Sequence, residues 1–354
     1  MTQAHADVVP TRTLSAADVA AAAQLACLLE ASAPKPGNVS PGRHFTDTRY
    51  EDFLASAAAV GGPLAGAGTR PVGATVRLAI EATRRWTRSN TNLGIVLLLT
   101  PLARAAMYSG ESRAPNPESR APNPESRAPN PESRAPSPES RAPSPESRAP
   151  SPESRVPSLG EGLIATRLRV ALRQVLDATT VEDARDVYAA IRLASPGGLG
   201  QADAQDVGGD PDVTLLAAMQ LAAHRDGIAR EYATAFEVTF ETGAPVLEQG
   251  RRDGLSWDDA VVETFLSVLA ASPDTHVARR AGVAVAEDVS ERARRTLAAG
   301  GVRSAAGRRA IDEMDRGLRD ARNTGNPGTT ADLTTAAIFV VLLRGGWNAS
   351  SSSK

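Results

Sequence analysis

An all-helical fold is what this sequence predicts, and three observations carry the prediction. Ser or Thr is followed three residues later by an acid at Ser15/Asp18, Thr48/Glu51, Thr180/Asp183 and Ser256/Asp259, the spacing of an N-terminal capping arrangement. Each pair precedes an alanine- and leucine-rich amphipathic stretch, and no sustained two-residue alternation competes with them. Glycine and proline collect between the stretches, in PKPGNVSPG, SPGGLG, DVGGDPD and NTGNPG.

Taken in order, helices are expected over 16–31, 49–60, 72–87, 93–107, 161–176, 181–194, 213–241, 257–271, 276–299, 304–322 and 330–343. The expected architecture is a compact bundle of roughly ten helices with Gly-rich corners. It forms a single domain over 14–346, with 1–13 and 347–354 as flexible tails. Helix starts at such corners present unpaired N–H groups and a partial positive charge, which suit phosphate.

One segment breaks the pattern. From Glu111 the chain reads ESRAPNP three times, ESRAPSP three times, then ESRVPSL ending at Leu159. Each of the first six copies carries two prolines, and proline in a helix interior costs about 3 kcal/mol, so this seven-residue period is not a coiled coil. Glu and Arg cancel, and Val156 and Leu159 are its only large apolar side chains. Such a segment is expected to be a disordered, partly polyproline-II insert tolerated in a surface loop, and it lacks PxxP spacing.

Composition excludes some functions. The chain has 354 residues, 42% hydrophobic, enough for a substantial core. Its 39 basic and 41 acidic residues give a net charge of -2, so global charge favours neither nucleic acid nor an anionic membrane. The one cysteine, Cys27, lies in an apolar helical pattern and has no partner for an internal disulfide. The N-terminus lacks a basic region followed by an apolar core, and the most apolar stretches, Leu93 to Leu99 and Ala336 to Leu343, are well short of the roughly 20 residues that span a bilayer. A cytoplasmic protein is expected.

Four loops hold the candidate site residues. In the first, Lys35 sits between two prolines with Gly37 behind it, a stiff corner for an ammonium, and His44 and Asp47 follow. In the second, SNTNLGIVLLLTPLA, Asn90, Thr91 and Asn92 open an apolar helix. One cap suffices there, which leaves at least two polar side chains needing partners in a mostly buried place. In the third, Asp203, Asp206, Asp210 and Asp212 fall within ten residues, an oxygen-rich cluster that suits Mg2+ with phosphate completing its shell. The fourth, NTGNPGTTADL, carries Asn326 and places Asp332 in the first turn of an apolar helix. His276, Arg279, Arg280 and Asp226 are lesser candidates, each read alone as an ordinary helix-surface group.

In this order the loops resemble the triphosphoribosyl-dephospho-CoA synthase family, over about residues 16–344 apart from the insert. The resemblance rests on Lys35-Pro36-Gly37 leading to His44 and Asp47, on Asn90-Thr91 preceded by Glu81, and on Asn326 to Gly328 with Ala331 to Leu333. One departure stands out: where decarboxylase-associated members read Asn-Thr-His-Lys-Gly, this chain has Asn92 and Leu93 in place of the His and Lys. It therefore resembles a divergent branch.

The resemblance implies a transferase that joins the 2'-hydroxyl of dephospho-CoA to C1' of the ATP ribose, releasing adenine. ATP is then a substrate and Mg2+ the expected metal, with Asp206 and Asp210 as its ligands. Lys35, with Arg279, would contact phosphate, Asn90 and Asn92 would orient ribose or base, and His44 or Asp47 would be the acid/base residue. Gly37, Thr91, Asn326 and Asp332 complete the nucleotide-binding set. The alternatives are ATP-dependent phosphoribosyl-type transfer to another acceptor, and an inert nucleotide-binding helical protein. Expected partners are small-molecule substrates, without nucleic acid or membrane, and a homodimer is the candidate assembly.

Overall fold

The computed structural model describes residues 14–108, 159–196 and 205–348. The ESRAP repeat apart from Leu159, residues 1–13 and 349–354, and Asp203 lie outside the described residues. Among these residues there are fourteen α-helices and no strand, only an isolated bridge between Ser40 and Arg43. The helices are α1 (Ala16–Ser32), α2 (Tyr50–Ala65), α3 (Val72–Arg84), α4 (Leu93–Ala106), α5 (Leu159–Asp177), α6 (Val181–Ala194) and α7 (Leu215–Ala222). They continue with α8 (Gly227–Thr234), α9 (Ala244–Arg252), α10 (Trp257–Ala271), α11 (Thr275–Ala281), α12 (Val283–Ala298), α13 (Ala305–Leu318) and α14 (Gly328–Leu343).

Local chemistry sets most of the starts. Ser15 and Thr180 make full capping boxes with Asp18 and Asp183, and Ser256 Oγ accepts from Asp259 N at 3.1 Å. The Thr48/Glu51 pair is displaced by one residue: Arg49 is the cap position, and its N–H donates to Asp52 Oδ2 at 2.9 Å. Two expected long helices are broken. The 213–241 stretch becomes α7, α8 and a π-helical turn over Thr239–Gly243, because Asp226 caps a new start at Gly227 and Ala235 and Phe236 take positive φ. The 276–299 stretch breaks at Gly282, whose φ of 95° suits glycine alone.

The bundle is organised around α14, which packs against α1, α4, α8, α9, α10 and α11. It is buried nearly all round, as a helix without an amphipathic stripe must be. Its threonines stay satisfied there by bonding back one turn, Thr334 Oγ1 to Thr330 O at 2.8 Å and Thr335 Oγ1 to Ala331 O at 3.0 Å. Among the described residues no helix is long and apolar enough to cross a membrane.

Candidate active site

Four helix starts meet at one cavity of about 750 Å3: those of α4, α8, α11 and α14. Asn90 opens α4 by accepting from Leu93 N at 3.2 Å, and it also lines the cavity. Thr91 and Asn92 turn inward instead, Thr91 to the Ser56 hydroxyl and Asn92 Nδ2 to Thr83 Oγ1 at 2.9 Å. Asp226 caps α8 through Ala229 N at 3.0 Å. Asp274 caps α11 through Val277 N at 2.9 Å, and its other oxygen accepts from both N and Oγ1 of Thr330 at 2.7 Å, tying α11 to α14. Thr275 Oγ1 accepts from Gly227 N at 3.1 Å and lies 3.1 Å from Thr329 Oγ1, which closes the set.

Two glycines bring the functional groups close. A Cβ on Gly94 would stand 2.0 Å from Asp332 Oδ2, so the absence of a side chain lets that carboxylate lie on the first turn of α4. A Cβ on Gly328 would stand 3.2 Å from the His276 ring. The helix starts thus bring Asn90, Asp226, His276, Arg279 and Asp332 to the cavity, while α6 and α7 contribute apolar groups such as Val187, Ile191, Leu215 and Met219.

The electrostatics are uneven. Arg279 Nη1 pairs with Asp226 Oδ2 at 2.5 Å, leaving Arg279 Nε buried without a hydrogen-bond partner. His276 Nε2 is likewise buried and unpartnered. Burial, then the charges of Arg279 and Arg280, push His276 down to about 4, so its ring is neutral at pH 7. Burial, then Glu30 and Asp274, hold Asp332 well above the usual carboxylate range, with Arg279 acting against them. An anion here meets helix dipoles and a guanidinium beside a neutral imidazole and a carboxyl held above its usual range.

The other residues named from sequence fall in several places. Lys35 is fully buried, 3.1 Å from Glu30 Oε1, and donates to the carbonyls of Glu30 and Ala33; it does not line the cavity. Gly37, at φ 74°, donates its N–H to Asp315 Oδ1 at 2.8 Å and packs on Leu318. His44 is exposed and its Nδ1 accepts from Tyr50 N at 3.2 Å, which caps α2. It lines a second, shallow basin with Arg43, Asp315 and Arg319. Asp47 is exposed, and its carbonyl accepts from Ser89 Oγ at 2.9 Å. Asn326 Oδ1 is buried without a hydrogen-bond partner. Asp206 lines the large cavity and accepts from Gly208 N at 2.8 Å, whereas Asp210 is exposed outside it. Among the described residues no three His, Cys, Asp or Glu side chains gather as a metal site.

Asp226 and His276 are therefore more central than their sequence context implied. The usable signal was capping: Asp226, inside the stretch 213–241 expected as one helix, and Asp274, between two expected helices, each stand three residues before the amide they cap.

The model of the family described as ATP:dephospho-CoA triphosphoribosyl transferase matches residues 16–130 and 151–351, well over half of the chain. The chain belongs to this family. Among relatives, proteins named probable 2-(5''-triphosphoribosyl)-3'-dephosphocoenzyme-A synthase are similar over a shorter span. The one from Pseudomonas paraeruginosa (strain DSM 24068 / PA7) is 39% identical over 125 residues, 34% of this chain and 42% of the relative. That from Pseudomonas syringae pv. tomato is 35% identical over 113 residues, 32% of this chain and 38% of the relative. The aligned part thus spans less than half the length of these relatives. A solved structure from Archaeoglobus fulgidus, provisionally assigned as a triphosphoribosyl-dephospho-CoA synthase, superposes with a TM-score of 0.53 at 23% identity, covering 83% of this chain and 99% of that one. This last likeness speaks to the triphosphoribosyl transferase fold alone.

Proposed function

We propose that the protein transfers the triphosphoribosyl group of ATP to the 2'-hydroxyl of dephospho-CoA, releasing adenine. The observation that carries this reading is the convergence of four helix starts and Arg279 on one cavity of about 750 Å3, within a chain of the triphosphoribosyl transferase family. A transfer at C1' that keeps the triphosphate needs a held polyanion, a positioned hydroxyl and help for the departing purine. The helix starts and Arg279 serve the first need, and the apolar groups of α6 and α7 suit the uncharged parts of the two substrates.

Mg2+ fits this site only in part. Asp206 lines the cavity and Asp210 does not, so the metal would arrive with the triphosphate, held by Asp206 and phosphate oxygens rather than by a preformed protein cage. Its chemistry would be to neutralise triphosphate charge. The basin holding His44 is a different place, and His44 would contact the part of dephospho-CoA that extends beyond the main cavity, with Asp47 three residues on.

Transfer to a different acceptor is the second reading, favoured by Leu93. It presents an apolar side chain to the cavity where the sequence motif departs from Asn-Thr-His-Lys-Gly. Incubation with ATP and Mg2+, with and without dephospho-CoA, separates the two. Adenine released only with dephospho-CoA supports the first reading, and release only with another acceptor supports the second. No adenine under any condition defeats both.

A further inference from the structure

We infer that Asp332 is the general acid that protonates the departing purine and that His276 accepts the proton of the attacking hydroxyl, an assignment that rests on the proposed transfer. Both side chains line the cavity, Asp332 from α14 and His276 from α11. The His276 ring lies on Gly328, and Asp332 follows four residues later on the same face, about 6 Å further along the axis. Two proton-handling groups thus face one cavity.

Their surroundings give them opposite tasks. Asp332 is faced by Glu30 and Cys27 from α1, by Asp274 and Arg279 at α11 and by Asp226 at the start of α8, while Gly94 of α4 lies against it without a side chain. Burial, then the charges of Glu30, Asp274 and Asp226, favour its protonated form, the form that has a proton to give. Asp226 is not equivalent, because its carboxylate is already engaged by Ala229 N and Arg279. His276 is faced by Arg279 and Arg280, stays uncharged, and its Nε2 makes no hydrogen bond. In the tautomer protonated at Nδ1, that nitrogen carries a lone pair for an incoming hydroxyl.

The step balances. The C1'–N9 bond breaks with its electron pair going to the purine, which takes the Asp332 proton and leaves as neutral adenine. The acceptor hydroxyl oxygen bonds to C1', and its proton passes to His276 Nε2. Solvent then returns a proton to Asp332 and removes one from His276.

The test compares ATP with a purine nucleoside triphosphate methylated at N7, whose base already carries the positive charge that protonation would supply. Asp332→Asn should slow base release from ATP by on the order of 10²- to 10⁴-fold and from the methylated donor by less than about 10-fold. Equal loss with both donors overturns the acid role. In the unsubstituted protein, kcat with ATP should fall as pH rises through the Asp332 range and stay level with the methylated donor; the same falling limb with both overturns it without any variant. His276→Gln should lose activity equally with both donors while ATP binding is kept, and a loss confined to ATP overturns its assignment. Unsubstituted protein that releases no base with any acceptor defeats the transfer itself, whereas active protein with the wrong donor pattern defeats this assignment alone.

Discussion

Tyr232 illustrates how much one hydroxyl can settle. Helix α4 contains Pro101, which has no N–H to give to the carbonyl of Leu97 one turn back. The fully buried Tyr232 of α8 supplies the missing donor, its hydroxyl reaching Leu97 O at 2.7 Å. Burial pushes that phenol far above its ordinary range, so it stays a donor at every working pH. Tyr232→Phe removes one partner and leaves a buried carbonyl unsatisfied, which should cost about 1–3 kcal/mol. Urea unfolding measures this, and a loss below about 0.5 kcal/mol would sink the assignment. The proline was visible in the sequence, but its remedy 131 residues on was not. Lys35 teaches the same lesson: the two flanking prolines mark a stiff corner, yet only the fold reveals that the ammonium turns inward to Glu30. A stiff corner constrains the backbone and leaves the side chain's direction open.

At the scale of elements, the helix starts were well marked and their meeting was not. Ser15, Thr180 and Ser256 announce α1, α6 and α10 because a cap is a local bond spanning three residues. Asp274 does something no local pattern records, holding Val277 N of its own helix and Thr330 of α14 with one carboxylate. Burial opposes its ionisation while those hydrogen bonds favour it, so the group persists because two helix starts need an acceptor. Asp274→Ala strands both amides and should cost about 2–4 kcal/mol, roughly two lost caps. Activity should fall with it, because α11 carries His276 and Arg279 and α14 carries Asp332. Asp274→Asn keeps an acceptor for one amide and should lie between. Thermal melts and kcat on the three proteins check the order, and an Ala variant as stable as the parent would show that the two helices are joined by other means.

For the whole molecule, the question is what the repeat contributes. The core that positions the cavity is made by α14 with α1, α4, α8, α9, α10 and α11, and all of these are described without any residue of 111–158. The proline period is a local signal that marks this segment off in the sequence, whereas the site needed the packing of distant corners to be seen. Replacing Glu111 to Ser158 with about six Gly and Ser residues should leave kcat with ATP and dephospho-CoA unchanged. It should also raise stability slightly: closure entropy grows as the logarithm of loop length, and an eightfold shortening lowers it by about 2 kcal/mol if the repeat makes no contacts of its own. A shortened protein with native helix content but a kcat reduced tenfold or more would mean that the repeat touches substrate or holds the cavity. A fall in stability would mean that it packs on the bundle, because entropy alone acts in the opposite direction.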